Sequence, residues 1–313
     1  MTSTVVGKAA GNALGLQTIM FATDFTRASA SAAQYASLLA RRHGSTLLSV
    51  HVVRQESLPA DVGPYVPNER GSFEERQMKA WAKQLEVFGV WHEELMATGD
   101  VGGNLCAIIE KRNVDLLVMG THGRKGAAKL LLGSVAEEVA RKVKCPVLVL
   151  GPEVSFRRWG RRNRDPEPIE EDETRLTRIL LATNFSSGTF AVTQQTLALA
   201  EADHSEVTLL HVRPAPASEQ IKNNEVQSQL DVYVNRLAKL VSPEDEVRFD
   251  LEYAVERGDA ADNILSAAEQ RWSDLIVMGA RNAEQHPVAA THFSSVLSKV
   301  IRRASCPVLL LHP

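Results

Sequence analysis

Two doubly wound α/β domains in tandem, each built on a parallel sheet, are the architecture that this 313-residue sequence predicts. Three observations lead there. First, the chain repeats itself. Ile19-Met-Phe-Ala-Thr-Asp-Phe25 returns as Ile179-Leu-Leu-Ala-Thr-Asn-Phe185, and His51-Val52 as His211-Val212. Gly99-Asp100 returns as Gly258-Asp259, Asp115-Leu-Leu-Val-Met-Gly120 as Asp274-Leu-Ile-Val-Met-Gly279, and Cys145-Pro-Val as Cys306-Pro-Val. The order is kept and the offset stays between 159 and 161 residues, a period too long for a solenoid and suited to a duplicated domain. Second, short aliphatic runs alternate with helical patterns. Third, the runs are continuously apolar, as in parallel strands covered on both faces.

Taken in order through the first copy, Thr18–Ala22 is the first expected strand and Ala28–His43 the helix after it. Thr46–Val53 is the second strand, followed by a helix over Phe73–Phe88 and a short strand near Glu93–Ala97. Asn104–Lys111 is expected helical, Leu116–Met119 a buried strand, Leu130–Val143 a helix and Val147–Leu150 the last strand. In such sheets ligands sit beyond the carboxyl ends of the strands, where the strand order reverses. Asp24, Val52 and Gly120 all fall at such ends.

The domains are expected at 16–151 and 176–313, after a disordered tail over 1–15 and with a charged linker over 152–175. That linker carries Arg157, Arg158, Arg161, Arg162 and Arg164, then a run of Asp and Glu. It reads as a solvated connection whose opposite charge blocks meet, or as a docking cluster of arginines. A formal net charge of −3 points to no nucleic-acid surface, and no apolar run reaches the roughly 20 residues of a membrane span. The N-terminus lacks the apolar core of a secretory signal. The three cysteines, Cys106, Cys145 and Cys306, have no metal-like spacing, and the two Cys-Pro-Val sites read as buried strand starts. A reducing, cytoplasmic setting fits.

Chemistry concentrates in Gly120-Thr-His-Gly123-Arg-Lys-Gly126, followed by Gly133-Ser134-Val135. A strand feeding a glycine-rich loop and then a helix start is a physically sensible phosphate cradle, because glycine permits positive φ and close backbone approach while amides at the helix start face the anion. Neither a P-loop nor a strand-associated GxGxxG competes with it. Asp24 has a second available role as a cap for the helix beginning near Ala28, Arg124 as a surface arginine, and His122 as an ordinary loop histidine.

Gly120, Gly123, Gly133 and Ser134, together with Ala22-Thr23-Asp24-Phe25, His51-Val52, Gly99-Asp100 and Cys145-Pro-Val, closely resemble a universal stress protein domain of the ATP-binding kind. The resemblance covers about 16–150 and again 176–312 and implies a Rossmann-like, adenine nucleotide alpha-hydrolase-like fold. It also implies an ATP site; Mg²⁺ bridging the phosphates belongs to the catalytic alternative given below. Asp24 would accept from the ribose or adenine, and backbone groups of Ala22 and Val52 would line the base. Met119 and Gly120 would pack on the ribose and α-phosphate. Gly123, Gly133, Ser134 and Val135 would deliver amides, and Arg124 a charge, to the phosphates.

In the second copy Asn184 replaces Asp24, Asn282 replaces Gly123 and Ser294-Ser295 replaces Gly133-Ser134, so the phosphate site is expected to be lost there. The leading functional expectation is a stress-response sensor or adaptor that binds ATP in its first domain and acts on an unidentified protein partner. Slow ATP hydrolysis or self-phosphorylation on Ser134, and a nucleotide-independent scaffold, are the alternatives. The resemblance further implies that the final strands, Val147–Leu150 and Val308–Leu311, pair with each other to make an internal pseudo-dimer. A homodimer of chains is a further arrangement these strands allow.

Overall fold

The computed structural model describes residues 15–54, 73–87, 89–121, 133–154, 176–214, 223–280 and 295–313. In the first copy the elements are β1 (Thr18–Ala22), α1 (Arg27–His43), β2 (Thr46–Val53), α2 (Phe73–Val87), β3 (His92–Thr98), α3 (Val101–Lys111), β4 (Leu116–Gly120), α4 (Ser134–Lys142) and β5 (Val147–Leu150). The second copy runs β6 (Arg178–Thr183), α5 (Thr189–Asp203), β7 (Glu206–Arg213), α6 (Asn223–Ala238), α7 (Pro243–Arg248), β8 (Leu251–Arg257), α8 (Ala260–Gln270), β9 (Leu275–Gly279), α9 (Ser295–Arg303) and β10 (Val308–Leu311). The short α7, capped by Ser242 and opened by Pro243, has no counterpart among the described residues of the first copy. The expected tail, and the expected linker beyond Val154, lie outside the described residues.

The expected helix over Asn104–Lys111 begins three residues earlier, at Val101, despite two glycines in its first turn. Asp100 caps it, its carboxylate accepting the Gly103 N–H at 2.7 Å. A Cβ on Gly102 would meet the end of the Glu138 side chain on α4, which would have to swing aside. The same cap recurs at Asp259, and the preceding Gly99 and Gly258 hold φ of 123° and 136°, where a side chain is strained. The recurring Gly-Asp pair is therefore a strand-to-helix hinge. Asp115 and Asp274 are also structural, accepting from backbone N–H groups of Gln17 and Thr18 and of Thr177 and Arg178 at 2.8–3.0 Å. Each ties the entry of its copy's first strand to the entry of β4 or β9.

All ten strands form one sheet in the order β3-β2-β1-β4-β5-β10-β9-β6-β7-β8. Every neighbouring pair is parallel except β5 and β10, which run antiparallel with Val149 opposite Val308, Leu148 opposite Leu309 and Val147 opposite Leu310. This is the joint anticipated between the two final strands. Both are fully buried, and their side chains alternate between two cores that each span the copies. On one face α3, α4, α8 and α9 cover Val147, Val149, Val308 and Leu310. On the other, residues of α1, α2, α5 and α6 pack with Leu148, Leu150, Leu309 and Leu311. At the end of β5, a Cβ on Gly151 would strike the Ile301 carbonyl of α9, so glycine sets how closely the copies approach.

The edge strands depart from the continuous apolar pattern. β3, His-Glu-Glu-Leu-Met-Ala-Thr, and β8, Leu-Glu-Tyr-Ala-Val-Glu-Arg, have no strand beyond them among the described residues and carry charge on exposed positions. Cys306 is buried and Cys145 half-buried before their strands, with burial pushing the Cys145 thiol up to about 12.

Where α1 meets α5, the two copies differ. The Arg42 guanidinium meets both carboxylate oxygens of Asp203, with Nη1 to Oδ2 at 2.7 Å, and Asp203 is only 8% exposed. Oδ2 also accepts the Leu176 N–H at 2.8 Å. The equivalent positions across the repeat are Ala202 and His43, which cannot form that pair. A helix C-terminus favours a protonated histidine, yet burial, aided by the neighbouring Arg42, lowers the His43 pKa to about 4. Desolvation wins over the helix field.

Two outcomes follow from this joint. Arg42→Ala should destabilise the chain by about 3 kcal/mol in chemical denaturation, because it strands a buried carboxylate, and Arg42→Ala/Asp203→Ala should recover much of that. An additive double variant would show that the pair is not coupled. For His43, the unfolded chain takes up a proton near 6.5 and the folded chain only near 4. Stability should therefore fall as pH drops through that window, and His43→Gln should flatten the profile there. An unchanged profile in the variant would assign the pH dependence to other groups.

Candidate functional site

Within each copy the strand order reverses between the first and fourth strands, β1 and β4 or β6 and β9, opening a crevice at their carboxyl ends. In the first copy Ala22 lies directly beside Met119 across this reversal, and beside Val50 of β2 on its other side. Val52 and Met119 are buried, and Ala22, Asp24 and Gly120 are half-buried around the mouth.

The turn leaving β1 is tightly held. Thr23 Oγ1 accepts the Phe25 N–H at 3.0 Å, and Asp24 Oδ1 accepts from the Thr26 N–H at 3.0 Å and the Thr26 hydroxyl at 2.6 Å. His51 Nδ1 donates to the Thr23 carbonyl at 2.8 Å, and its ring packs on Phe25 with centroids 4.6 Å apart. Phe25 takes φ of 60°, a left-handed conformation that costs a bulky residue on the order of 1–3 kcal/mol unless its surroundings hold it. The second copy repeats this device. Phe185 has φ of 57°, its N–H donates to Thr183 Oγ1 at 3.1 Å, and Asn184 Oδ1 accepts the Ser186 N–H at 3.1 Å. His211 donates to the Thr183 carbonyl at 2.9 Å. Its own pKa is lowered by burial, with Arg236 adding to the effect.

The repeat decides what Asp24 does locally. Thr26, not Asp24, caps α1, so the capping role considered for Asp24 is corrected. The turn needs one side-chain oxygen, which Asn184 supplies equally well.

The glycine segment enters and leaves at one point. Thr121 N–H donates to the Leu150 carbonyl at 3.1 Å, and the Thr121 carbonyl accepts the Gly133 N–H at 2.9 Å. Gly133 is the N-cap of α4 with φ of −50° and makes no side-chain cap. One feature of the expected phosphate cradle is corrected here: the Gly133 amide, expected to face the phosphates, is already bonded. The amides of Ser134, Val135 and Ala136, which have no intrahelical acceptor in the first turn, are the donors that remain. Ser134 is exposed at the helix start, and Val135 is half-buried against the core. Gly123 and Arg124, like His122, lie outside the described residues.

Thr23, Phe25 and His51 are the parts of the site to which sequence reasoning assigned no role. Their signal was present: Ala-Thr-(Asp/Asn)-Phe and His-Val recur together in both copies. Among the described residues no group of three His, Cys, Asp or Glu side chains forms a metal cluster. No helix among them is long and apolar enough to cross a membrane.

In the second copy a cavity of about 230 Å³ occupies the crevice between β6 and β9. Ala182, Asn184, Val212, Met278, Gly279 and Val296 line it. These are the repeat counterparts of Ala22, Asp24, Val52, Met119, Gly120 and Val135.

Comparison with known proteins accords with this duplicated architecture. A universal stress protein of Methanocaldococcus jannaschii is 34% identical over 144 residues, 42% of this chain and 80% of its own length. One from Thermus aquaticus is 32% identical over 136 residues, 43% of this chain and 98% of its own. Among solved structures, a universal stress protein from Archaeoglobus fulgidus DSM 4304 matches with a TM-score of 0.65 at 20% identity, covering 96% of this chain and 98% of that one, a likeness of fold. The model of the universal stress protein family matches residues 15–151 and again 175–312, and the chain belongs to that family as a tandem two-domain member.

Proposed function

We propose that the first copy binds ATP at the β1/β4 crevice and that this occupancy is read by a protein partner in a cytoplasmic stress response. The observation that supports it best is the direct pairing of Ala22 with Met119 at the reversal of strand order, with Asp24 at the mouth. Close by in the chain, Gly133 brings an uncapped helix start back to the end of β4. In this reading the Asp24 carboxylate accepts from ribose hydroxyls, while backbone groups of Ala22 and Val52 line the base. Met119 and Gly120 pack on the ribose and α-phosphate. The Ser134 and Val135 amides and the Ser134 hydroxyl face the phosphates, where the α4 terminus adds about 0.3–1 kcal/mol of favourable field. Gly123 and Arg124 would complete the phosphate contacts, and Mg²⁺ bound with the nucleotide would offset phosphate charge.

The chemistry of the donor set fits an adenine nucleotide in division of labour: a carboxylate for hydroxyls, buried apolar side chains for the base and amides for an anion. ATP itself supplies only a graded ligand whose presence changes the stability of the crevice. The chain's residues bind it and keep the turn after β1 ordered.

ATP at about one hundred times its Kd should stabilise the protein by about 2.7 kcal/mol, a rise of roughly 5–10 °C in Tm. Gly133→Val should abolish the rise while the protein still folds, since φ of −50° accommodates valine. An unchanged Tm at millimolar ATP would sink the proposal. Asp24→Asn preserves the turn, as Asn184 does, and should weaken ATP about tenfold through loss of a charge-assisted hydrogen bond. Equal ATP affinity in the variant, measured by calorimetry, would return Asp24 to a purely structural role.

A further inference from the structure

A polar pocket of about 290 Å³ lies at the opposite ends of the strands from the crevice, where β6, β7 and β8 begin and α8 ends. Arg178, Glu206, Thr208, Glu252, Trp272 and Ser273 help to line it. The segments that enter the strands here, 176–177, 204–205, 249–250 and 271–274, are all among the described residues. In the first copy Leu48 and Val114, both part of the core, stand where the second has Thr208 and Ser273. Thr18 and Thr46 stand where it has Arg178 and Glu206, and Asn113 where it has Trp272. Trp272 is the least expected of these. It takes φ of 54°, a left-handed conformation that Asn113 adopts readily at 47° and that strains a bulky residue. At 66% exposure its ring is not there to fill the core. We propose that this pocket binds one neutral sugar ring, its hydroxyls on two Arg–Glu pairs and one face on Trp272.

The polar groups are arranged for such a ligand. Arg271 holds Glu252 in a fork, Nε to Oε2 at 2.8 Å and Nη2 to Oε1 at 2.6 Å, and the Thr208 hydroxyl donates to the same Oε2 at 3.1 Å. Arg178 reaches Glu206 Oε2 through Nε alone, at 3.3 Å. Among the described residues this leaves both Arg178 Nη groups as donors and Glu206 Oε1 as an acceptor. Ser273 is only 2% exposed, and its hydroxyl makes no hydrogen bond among the described residues. The two pairs sum to zero charge, so an ionic ligand would bring a charge with no partner into a partly desolvated site. A sugar hydroxyl both accepts and donates, and bridges guanidinium to carboxylate without breaking the pair. The negative face of the Trp272 indole suits the C–H face of a sugar ring. A volume just under the roughly 300–1,000 Å³ of larger ligand sites suits one ring rather than a chain. Free sugars and the terminal residue of an oligosaccharide share this chemistry. The crevice takes no part, so the proposal is independent of the ATP reading.

The test uses the full chain with glucose, galactose, mannose and N-acetylglucosamine, each as the free sugar and as the terminal residue of a disaccharide. Glycine and glutamate serve as charged controls. The Trp272 indole resonance, assigned through Trp272→Asn, reports this pocket. At least one sugar should shift it saturably at millimolar concentration. Trp272→Asn installs the residue that the first copy carries at this φ and should leave Tm unchanged or higher. Thr208→Leu/Ser273→Val restores both apolar residues of the first copy. Calorimetry should show each variant losing at least about tenfold in sugar affinity. Response to free sugars supports the proposal with a free sugar as the ligand, and response to disaccharides alone supports it with an oligosaccharide end as the ligand. A Trp272 resonance that ignores every sugar, an equal response to glycine or glutamate, or undiminished affinity in Trp272→Asn would each overturn it.

Discussion

The antiparallel pairing of β5 with β10 is the constraint on which the rest of this molecule depends. Each half on its own would end its sheet in a short, wholly apolar strand with an unpaired edge, a liability in water. Joining the two edges removes both and turns two five-stranded sheets into one of ten. Because the strands are only four residues long, three registered pairs carry the joint, and close approach elsewhere must support it. Gly151 against the Ile301 carbonyl and Arg42 against Asp203 provide that support from α9 and α5. Reversal of direction at the joint also sends the crevices of the two copies to opposite ends of the sheet.

Duplication within one chain lets the two halves of the interface diverge. In a symmetric dimer every contact occurs twice. Here Arg42 faces Asp203, whereas the related positions hold His43 and Ala202. Two first copies brought together would lack the acidic partner, and two second copies the basic one. The ion pair therefore favours pairing of unlike copies, and its buried carboxylate makes a mismatch costly. The same freedom has separated the crevices, one keeping Asp24 at its mouth, the other Asn184.

The turn after the first strand shows how a candidate functional region and a structural one share residues. Thr23, Phe25 and His51 fix a left-handed backbone that places Asp24 at the crevice, and the second copy maintains it with Asn184 instead of Asp24. What distinguishes the copies is thus a charge carried on an unchanged scaffold. Strain at Phe25 is tolerated because ring contact and two hydrogen bonds hold the turn from separate elements.

Sequence by itself determined the duplication, the strand and helix alternation, and the positions at which Asp24, Val52, Met119 and Gly120 fall, because hydrophobic period and glycine placement are local properties of the chain. It misjudged the start of α3, where Asp100 caps a helix through two glycines that propensity alone counts against, and it assigned Gly133 an amide that Thr121 already holds. It did not expose the cavity of the second copy, since loss of the glycines hid the retention of Ala182, Val212 and Met278 around an open space. Nor could it tell that Asp115 ties strands while Asp24 lines a crevice, both being an acidic residue beside an apolar run. Tertiary structure decided these points, because hydrogen-bond partners and empty volume arise from segments far apart in sequence, and no local pattern encodes which of them meet.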